Sequence, residues 1–336
     1  MKVLFYHLKP FSLTHGGLQT QILQTRHGLE QVGVESDYLR WWDERQTGDI
    51  LHFFGRMPTP MLRIAQQKGM KIVLSDLLTE QGSRPCWRLK LQRMTMRAMT
   101  RGLPGIFTAS YYWDSYSLAD ACVALTSWEA RLMTDLFGAR PEKTHVVPNG
   151  VEDVFLNSQP APRGSWLICT STITGRKRVL ELAEAAVLAG TPIWIIGKPY
   201  SEEDPYARRF LQLTRDHPSI LRYEGAIGDR QKLAEIYRAA RGFVLLSAME
   251  SLSLSALEAS ACGCPVLLSD LPWARTTFGE SACYCPVSSS AARTAGFVRK
   301  FHAEAPGLNP PPRPLTWLEV GKQLKRIYES LPGTSR

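Results

Sequence analysis

Short apolar runs alternate with longer amphipathic segments from one end of this 336-residue chain to the other. In the first half, the runs that indicate β-strands are residues 2–6, 34–39, 49–54, 71–76, 121–125 and 145–147. In the second half they are residues 166–170, 193–196, 220–223, 243–247 and 266–269. Because helical patterns lie between these runs, the alternation predicts parallel sheets covered by helices on both faces. Ligands of such sheets bind beyond the carboxyl ends of the strands.

The length of the chain favours two domains, since it exceeds the usual size of one hydrophobic core. We place an N-terminal domain at residues 1–150 and a second domain at residues 164–315. Residues 151–163 contain Pro160, Pro162 and few apolar side chains, which is typical of a linker. Residues 316–336 contain a last amphipathic helix, which we expect to pack back toward the N-terminal domain.

The first apolar run and the cysteines predict the location of the protein. The first apolar run is four residues long and is followed by Lys9 and Pro10, which is too short for a signal peptide. The seven cysteines are odd in number and most lie in apolar contexts, as expected for free buried thiols. We therefore expect a cytoplasmic protein.

A metal site is not expected. Cys262 and Cys264 form one close pair, and Cys283 and Cys285 form another. The spacing within each pair is shorter than in the usual zinc-binding patterns. No Asp-x-Asp pair occurs that would hold a divalent ion for a nucleotide.

The chain is basic, with a net charge of +9 and a pI near 9.3. Nucleic acid, an anionic membrane or a phosphate-rich substrate would each suit this charge, but no nucleic-acid-binding module is recognisable. Residues 84–101 form a candidate helix in which basic side chains share one stripe, flanked by apolar ones. The basic residues are Lys90, Arg93, Arg97 and Arg101. Such a helix either lies on an anionic membrane surface or covers a sheet with its charges in water.

The segment from residue 247 to residue 270 is the most informative about chemistry. Glu250 follows a predicted strand, Ser251 or Ser253 is suited to cap a new helix, and Glu258 lies within that helix. The first turn offers free N–H groups and a positive dipole end to a phosphate. A carboxylate suits the two hydroxyls of a ribose. If the helix included both glutamates, about 12 Å would separate them along its axis. The alternative is an ordinary helix-start acid and a surface glutamate.

Glu250, seven intervening residues and Glu258, followed by Ala-Ser-Ala-Cys-Gly-Cys-Pro-Val, resemble the E-x7-E region of retaining GT-B glycosyltransferases, in particular family GT4. Gly16 and Gly17 are similar to the glycine loop of that family, and residues 147–151 to its segment at the end of the first domain. Residues 175–178 resemble its basic donor motif. The resemblance covers most of the chain and implies two Rossmann-like, doubly wound domains facing across a cleft.

The resemblance implies a role for each matched residue. The implied catalytic residues are Glu250, Lys177 and Asp76. The implied donor-binding residues are Thr172, Arg176, Lys177, Arg178, Gly197, Ala226, Ile227, Ser253, Leu254, Ser255 and Glu258. The expected acceptor-side residues are His15, Gly16, Gly17, His52 and Asn149. A lone histidine is more often structural than a ligand, so both interpretations of His15 and His52 stay open.

The chain departs from the family pattern at several positions. Thr172 stands where a second donor cation is usual, and Ser75 stands where a histidine precedes the aspartate. A third acid expected near Thr276 is absent, and Ser251 and Ser253 replace glycines. These departures favour, as an alternative, a catalytically silent homologue that partners an active transferase.

The function that the resemblance implies is metal-independent transfer of a hexose with retention of anomeric configuration, as in polysaccharide biosynthesis. The donor would be a UDP- or GDP-linked sugar and the acceptor a hydroxyl of a glycan or lipid-linked molecule, with no further cofactor. Residues 84–101 would hold the enzyme on the inner face of the plasma membrane. A sugar-nucleotide epimerase or hydrolase on the same fold is a second alternative.

Overall fold

A computed structural model of the chain describes residues 1–8, 16–102, 111–157 and 161–333. By its internal contacts the chain divides into two compact units. The N-terminal unit comprises Met1–Gly150 together with Trp317–Arg336, and the C-terminal unit comprises Val151–Thr316.

The N-terminal unit is built on a six-stranded sheet in which every neighbouring pair of strands is parallel. Its strands are β1 (Lys2–Tyr6), β2 (Glu35–Tyr38), β3 (Ile50–Phe54), β4 (Lys71–Ser75), β5 (Ala121–Ala124) and β6 (Thr144–Val146), in the spatial order β2-β1-β3-β4-β5-β6. Every residue of β3 is buried, since helices cover both faces of a parallel sheet.

Before residue 150, the described helices of this unit are α1 (Gly17–Gln31), α2 (Thr59–Gln67), α3 (Thr79–Gly82), α4 (Cys86–Gly102), α5 (Ser115–Leu118) and α6 (Ser127–Phe137). The ends of α6 show how the sequence sets a boundary. The Thr126 side chain accepts from the backbone N–H of Glu129 at 3.1 Å, and Gly138 ends the helix in the left-handed conformation.

The C-terminal unit repeats the scheme with a second six-stranded parallel sheet. Its strands are β7 (Leu167–Thr170), β8 (Ile193–Ile196), β9 (Leu221–Tyr223), β10 (Gly242–Leu245), β11 (Val266–Ser269) and β12 (Cys283–Cys285), in the spatial order β12-β11-β10-β7-β8-β9. Its helices are α7 (Asp153–Leu156), α8 (Val179–Ala189), α9 (Pro205–Asp216), α10 (Arg230–Ala239), α11 (Leu254–Ala261), α12 (Pro272–Phe278) and α13 (Ala291–Glu304).

The last helix, α14 (Trp317–Ser330), belongs to the N-terminal unit, where it packs against α1. Its buried residues recur at helical spacing and include Trp317, Val320, Leu324 and Tyr328. The two helices approach closely at a pair of glycines. A Cβ on Gly28 would overlap the carbonyl of Trp317, and a Cβ on Gly321 would overlap the carbonyl of Gly28.

The prediction of parallel sheets covered by helices is confirmed in both units. The segment predicted as a linker differs from expectation, because it contains the short helix α7, whose Phe155 is fully buried. Residues 158–160 of that segment lie outside the described residues.

Candidate functional site

The strand order of the C-terminal unit creates one position where a ligand crevice is expected. From β7 the chain adds β8 and β9 on one side, and then returns to add β10, β11 and β12 on the other. The chain therefore continues from the neighbouring strands β7 and β10 in opposite directions along the sheet. In doubly wound sheets this reversal is where ligands bind.

Lys177 and Glu250 flank this reversal, one in the loop after β7 and the other in the loop after β10. The Lys177 Nζ donates to Glu250 Oε1, and both side chains are nearly buried, with exposed fractions of 13% and 9%. Arg176 adds a second cation, with its guanidinium 3.7 Å from the same carboxylate oxygen. The backbone N–H of Ala248 donates to the carbonyl of Arg176 at 2.8 Å, so the two loops are tied together.

The remaining basic residue of the motif points elsewhere. The Arg178 guanidinium donates to the carbonyl of Val287 at 2.8 Å, and the residue has a φ of 52°, in the left-handed region. It sits at the N-cap of α8, after a turn that Thr174 closes by accepting from the backbone N–H of Lys177. Arg178 thus holds the loop, while Lys177 and Arg176 reach the carboxylate.

The helix start predicted within residues 251–255 is observed at Leu254, with Ser253 as its cap. The Ser253 Oγ accepts from the backbone N–H of Ala256 at 3.3 Å and lies 3.0 Å from the Ser255 Oγ. Glu250 therefore precedes the helix, so the separation of about 12 Å that holds for two glutamates in one helix does not apply. The first turn of α11, with its positive dipole end, follows the acid directly.

Glu258 is a buried residue of α11, which excludes the interpretation of it as a surface glutamate. Its carboxylate accepts from the Arg230 guanidinium through Oε1 and from the Tyr237 hydroxyl through Oε2 at 3.3 Å. Burial raises the pKa of Glu258, while the Arg230 charge acts in the opposite direction. Arg230 also holds Glu152, at 2.8 Å, and stacks over the Phe155 ring at 4.7 Å.

Sequence reasoning missed Arg230, Tyr237 and Glu152, which make the immediate surroundings of Glu258. Arg230 stands at the first position of α10, directly after the N-cap Asp229, where a basic residue is unfavourable for the helix dipole. That misfit is the one local signal that could have marked it.

Gly197, Ala226 and Ile227 lie after the neighbouring strands β8 and β9. Gly197 has a φ of 150°, and a Cβ there would overlap the carbonyl of Ser171, so the position accepts only glycine. Its backbone N–H donates to the carbonyl of Gly225 at 3.0 Å. Ala226 is exposed and Ile227 half-buried at this edge, and Thr172 is half-buried after β7. The predicted donor-binding residues thus share the carboxyl edge of one sheet.

The predicted acceptor-side residues belong to the N-terminal unit and have different surroundings. Gly16 caps α1 with a φ of 148°, Gly17 begins that helix, and both are exposed. Asn149 is buried, and His15 lies outside the described residues.

His52 does not lie at an exposed strand end, contrary to the expectation for an acceptor-side residue. It is 1% exposed within β3, where Nδ1 is 2.6 Å from the Tyr328 hydroxyl and Nε2 is 2.7 Å from the Ser75 Oγ. Its ring stacks on Phe54, with the centroids 4.4 Å apart. Burial lowers the pKa of His52 to about 3. The residue therefore joins the sheet to α14 as a neutral imidazole.

Asp76 follows β4 at the carboxyl edge of the N-terminal sheet. It accepts from the Tyr116 hydroxyl and lies 3.7 Å from the Arg56 guanidinium. Arg56 in turn lies over the Phe137 ring at 4.4 Å. Asp76 and the pair formed by Lys177 and Glu250 belong to different units.

Helix α4 carries the basic stripe predicted within residues 84–101. Leu89 and Met96 are buried in the core of the N-terminal unit, whereas Trp87, Leu91 and Met94 are exposed by 62%, 54% and 69%. Of the four cations, Arg93 pairs with Asp135 at 3.2 Å. The helix therefore buries one apolar side and leaves a second apolar side in solvent.

The described residues contain no group of three histidine, cysteine or acidic side chains placed to hold a metal ion. All seven cysteines are free thiols, and burial raises the pKa of Cys264 to about 12. Within the part of the chain that the structure describes, no helix is long and apolar enough to cross a membrane.

The two doubly wound parallel units define a GT-B fold, and comparison with known proteins agrees. Residues 165–300 match the family described as glycosyl transferases group 1. The structure of HepE from Anabaena in complex with UDP and glucose superposes with a TM-score of 0.63 at 14% identity, covering 98% of this chain and 100% of that one. At this identity the likeness shows the fold alone.

Two curated relatives match part of the chain in sequence. The D-inositol 3-phosphate glycosyltransferase of Acidothermus cellulolyticus is 30% identical over 176 residues, which is 46% of this chain and 39% of the relative. That of Geodermatophilus obscurus is 35% identical over 179 residues, 47% of this chain and 40% of the relative. The chain thus spans about two fifths of the length of these relatives.

Proposed function

We propose that this protein transfers a hexose from a nucleotide diphosphate sugar to a hydroxyl group, with retention of anomeric configuration and without a metal ion. The observation that carries the proposal is the nearly buried pair of Lys177 and Glu250 at the strand reversal, directly before the N-terminus of α11. A cation beside a helix start suits a diphosphate. The group 1 glycosyl transferase match over residues 165–300 supports the same conclusion.

In this proposal Lys177 and Arg176 would release Glu250 and form ion pairs with the donor diphosphate instead. The bond between the anomeric carbon and the diphosphate oxygen breaks, and the acceptor oxygen bonds to that carbon on the same face. The acceptor proton leaves with the diphosphate, whose growing charge the two cations and the first turn of α11 stabilise. Glu250, released from Lys177, would accept from hydroxyls of the sugar.

Glu258 would hold the ribose of the donor. Both of its oxygens already have one donor each, from Arg230 and Tyr237, and a carboxylate has about four acceptor positions. Two hydroxyls can therefore add to this site without displacing either partner. The donor in this proposal is a UDP- or GDP-linked sugar; the Anabaena HepE structure, which has the same fold, contains UDP.

The acceptor would be a glycan or a lipid-linked molecule, approached by the N-terminal unit. Asp76, braced by Tyr116 and Arg56 at the carboxyl edge of that sheet, is the proposed contact for the acceptor hydroxyl. The exposed side of α4 would keep the enzyme on an anionic membrane surface on the cytoplasmic side, through Lys90, Arg97 and Arg101 beside Trp87.

A nucleotide-release assay over a panel of UDP- and GDP-sugars, with and without hydroxyl acceptors, tests the proposal. Lys177→Ala should lower kcat more than it raises KM, because its contact strengthens as the phosphate departs. Lys300→Ala, whose side chain is 70% exposed on α13, is the matched control and should behave as wild type. Equal loss in both variants would contradict the role of Lys177.

The same assay separates the alternatives. Release of nucleotide without any acceptor, at the full rate, would indicate a hydrolase, and a donor altered in stereochemistry would indicate an epimerase. Tight donor binding with no turnover for any pair would indicate a silent homologue, as the threonines at positions 172 and 276 suggest. Each of these outcomes would overturn the transferase proposal.

A further inference from the structure

The loop after β2 presents two adjacent indole rings to solvent. Trp41 and Trp42 are 83% and 68% exposed, and Trp41 has the highest value among the large apolar residues that are described. Their ring centroids are 5.6 Å apart and their planes are nearly perpendicular, at 86°. Large apolar side chains exposed together usually mark a binding surface.

This loop is held in place by polar contacts. The Gln46 side chain accepts from the backbone N–H of Arg40 at 2.8 Å and donates to the carbonyl of Tyr38 at 2.8 Å. The Arg40 guanidinium lies 3.1 Å from Asp43. The two indoles therefore project from a braced turn, so little conformational entropy would be lost when a ligand packs on them.

A groove of about 810 Å³ lies beside the indoles. Its charged lining is nearly balanced, with three cations and two carboxylates: Arg40, Arg45, Lys68, Asp43 and Glu44. Such a surface gives little attraction to an anionic membrane or a nucleic acid. It offers many donors and acceptors beside flat aromatic faces, which suits a neutral molecule that carries hydroxyl groups.

We propose that Trp41 and Trp42 form a binding platform for a neutral oligosaccharide. The C–H faces of its sugar rings would pack on the indoles, while its hydroxyls would bond to Asp43, Glu44 and Arg45 in the groove. The near balance of charge favours this occupant, since each polar group can meet a hydroxyl and the three cations exceed the two carboxylates by a single charge. The assignment of this glycan as the acceptor rests on the proposed function, whereas its binding does not.

Titration calorimetry of the free protein with neutral oligosaccharides of four to six hexose units tests the platform without any donor. Trp41→Ala, Trp42→Ala and the double variant should each weaken binding, and the double variant should lose about tenfold or more in affinity. Leu23→Ala is the matched control, because it removes an apolar side chain that is 45% exposed on α1. It should bind as wild type.

Affinity of the double variant equal to that of wild type would overturn the proposal, as would a wild-type protein that binds none of the oligosaccharides. Binding to zwitterionic vesicles that depends on the same tryptophans, without oligosaccharide binding, would make the surface a membrane contact instead. Nucleotide release is measured in parallel. If the protein releases nucleotide but does not bind oligosaccharide through Trp41 and Trp42, only this inference is wrong. If it binds oligosaccharide through these residues but releases no nucleotide, only the proposed function is wrong.

Discussion

At the scale of single residues, the C-terminal unit places two buried acids beside cations that lie far away in the sequence. Glu250 meets Lys177 across 73 positions, and Glu258 meets Arg230 across 28. A buried carboxylate without a cation costs several kcal/mol, so removing the cation from either pair would destabilise the fold. The pairs also set the acids in position before a nucleotide arrives.

Glu258→Gln should weaken the binding of UDP or GDP by about 1.5–3 kcal/mol, the range for a hydrogen bond to a charged group. Arg230→Gln alone should lower the free energy of unfolding, because it leaves Glu258 buried without its cation. The double variant should recover part of that loss, giving a coupling energy of about 1–3 kcal/mol. Calorimetry and urea unfolding measure the two effects, and unchanged nucleotide affinity in Glu258→Gln would remove it from the site.

His52 predicts a pH dependence of stability. Its folded pKa is lowered from 6.5 to about 3 by burial, so between these values the unfolded chain binds a proton that the folded chain does not. The free energy of unfolding should therefore fall as the pH falls through this window, by up to about 1.4 kcal/mol per pH unit.

Urea unfolding at pH 7 and pH 5 measures this effect. His52→Asn should be less stable than wild type at pH 7, because contacts with Ser75 and Tyr328 are lost. Its free energy of unfolding should, however, fall by less than that of wild type between pH 7 and pH 5. His27→Asn, at an exposed position on α1, should keep the slope of wild type. A wild-type slope in His52→Asn would mean that another group titrates.

At the scale of elements, the close packing of α1 against α14 depends on glycines at the contact. Gly28 and Gly321 let the two backbones approach within a distance that no Cβ would permit. The contact brings Tyr328 to His52, so the last helix completes the core of the N-terminal unit.

Gly321→Ala should destabilise the protein by about 1–3 kcal/mol, since overpacking forces the helices apart. Gly296→Ala on α13 is the matched control, because a Cβ there would meet nothing within 4 Å. It should be neutral or stabilising by up to about 1 kcal/mol from helix propensity. Thermal unfolding of both variants gives the comparison, and similar behaviour of the two would show that the close approach is not needed.

Helix α4 predicts salt-dependent binding to membranes. Lys90, Arg97 and Arg101 are exposed beside Trp87 and Met94, and each cation contributes about 1 kcal/mol near an anionic surface. Wild type should sediment with anionic vesicles at low salt and be released as salt rises, because charges are screened over about 8 Å at physiological ionic strength. A variant with these three cations changed to Gln should remain in the supernatant. If wild type stayed in the supernatant with anionic vesicles at low salt, the proposed membrane contact of α4 would be wrong.

At the scale of the whole molecule, which carries a net charge of +9, the proposed function assigns the donor phosphate to basic side chains and not to a metal ion. Activity on a nucleotide sugar should therefore persist in excess EDTA, because Lys177, Arg176 and the start of α11 neutralise the diphosphate. The nucleotide-release assay measures this directly. Loss of activity on chelation, with recovery on addition of Mg²⁺ or Mn²⁺, would contradict metal independence.

The sequence by itself determined the class of the fold, because strand and helix periodicity is a local property that each segment carries alone. It also predicted a phosphate site in the loops that follow β7 and β10, where Lys177, Glu250 and Ser253 lie. Helix α11 begins at Leu254 with Ser253 as its cap, which is one of the two caps that the sequence predicts.

Only the tertiary structure decided which partners these residues meet. The cation of Glu258 comes from another helix, and the burial of His52 depends on Tyr328, which is 276 positions away. A strand-end histidine is exposed or buried according to which helix covers it, and that covering helix is the last of the chain. Packing of distant segments sets burial, and burial sets charge and hydrogen bonding, so no local pattern could have assigned them.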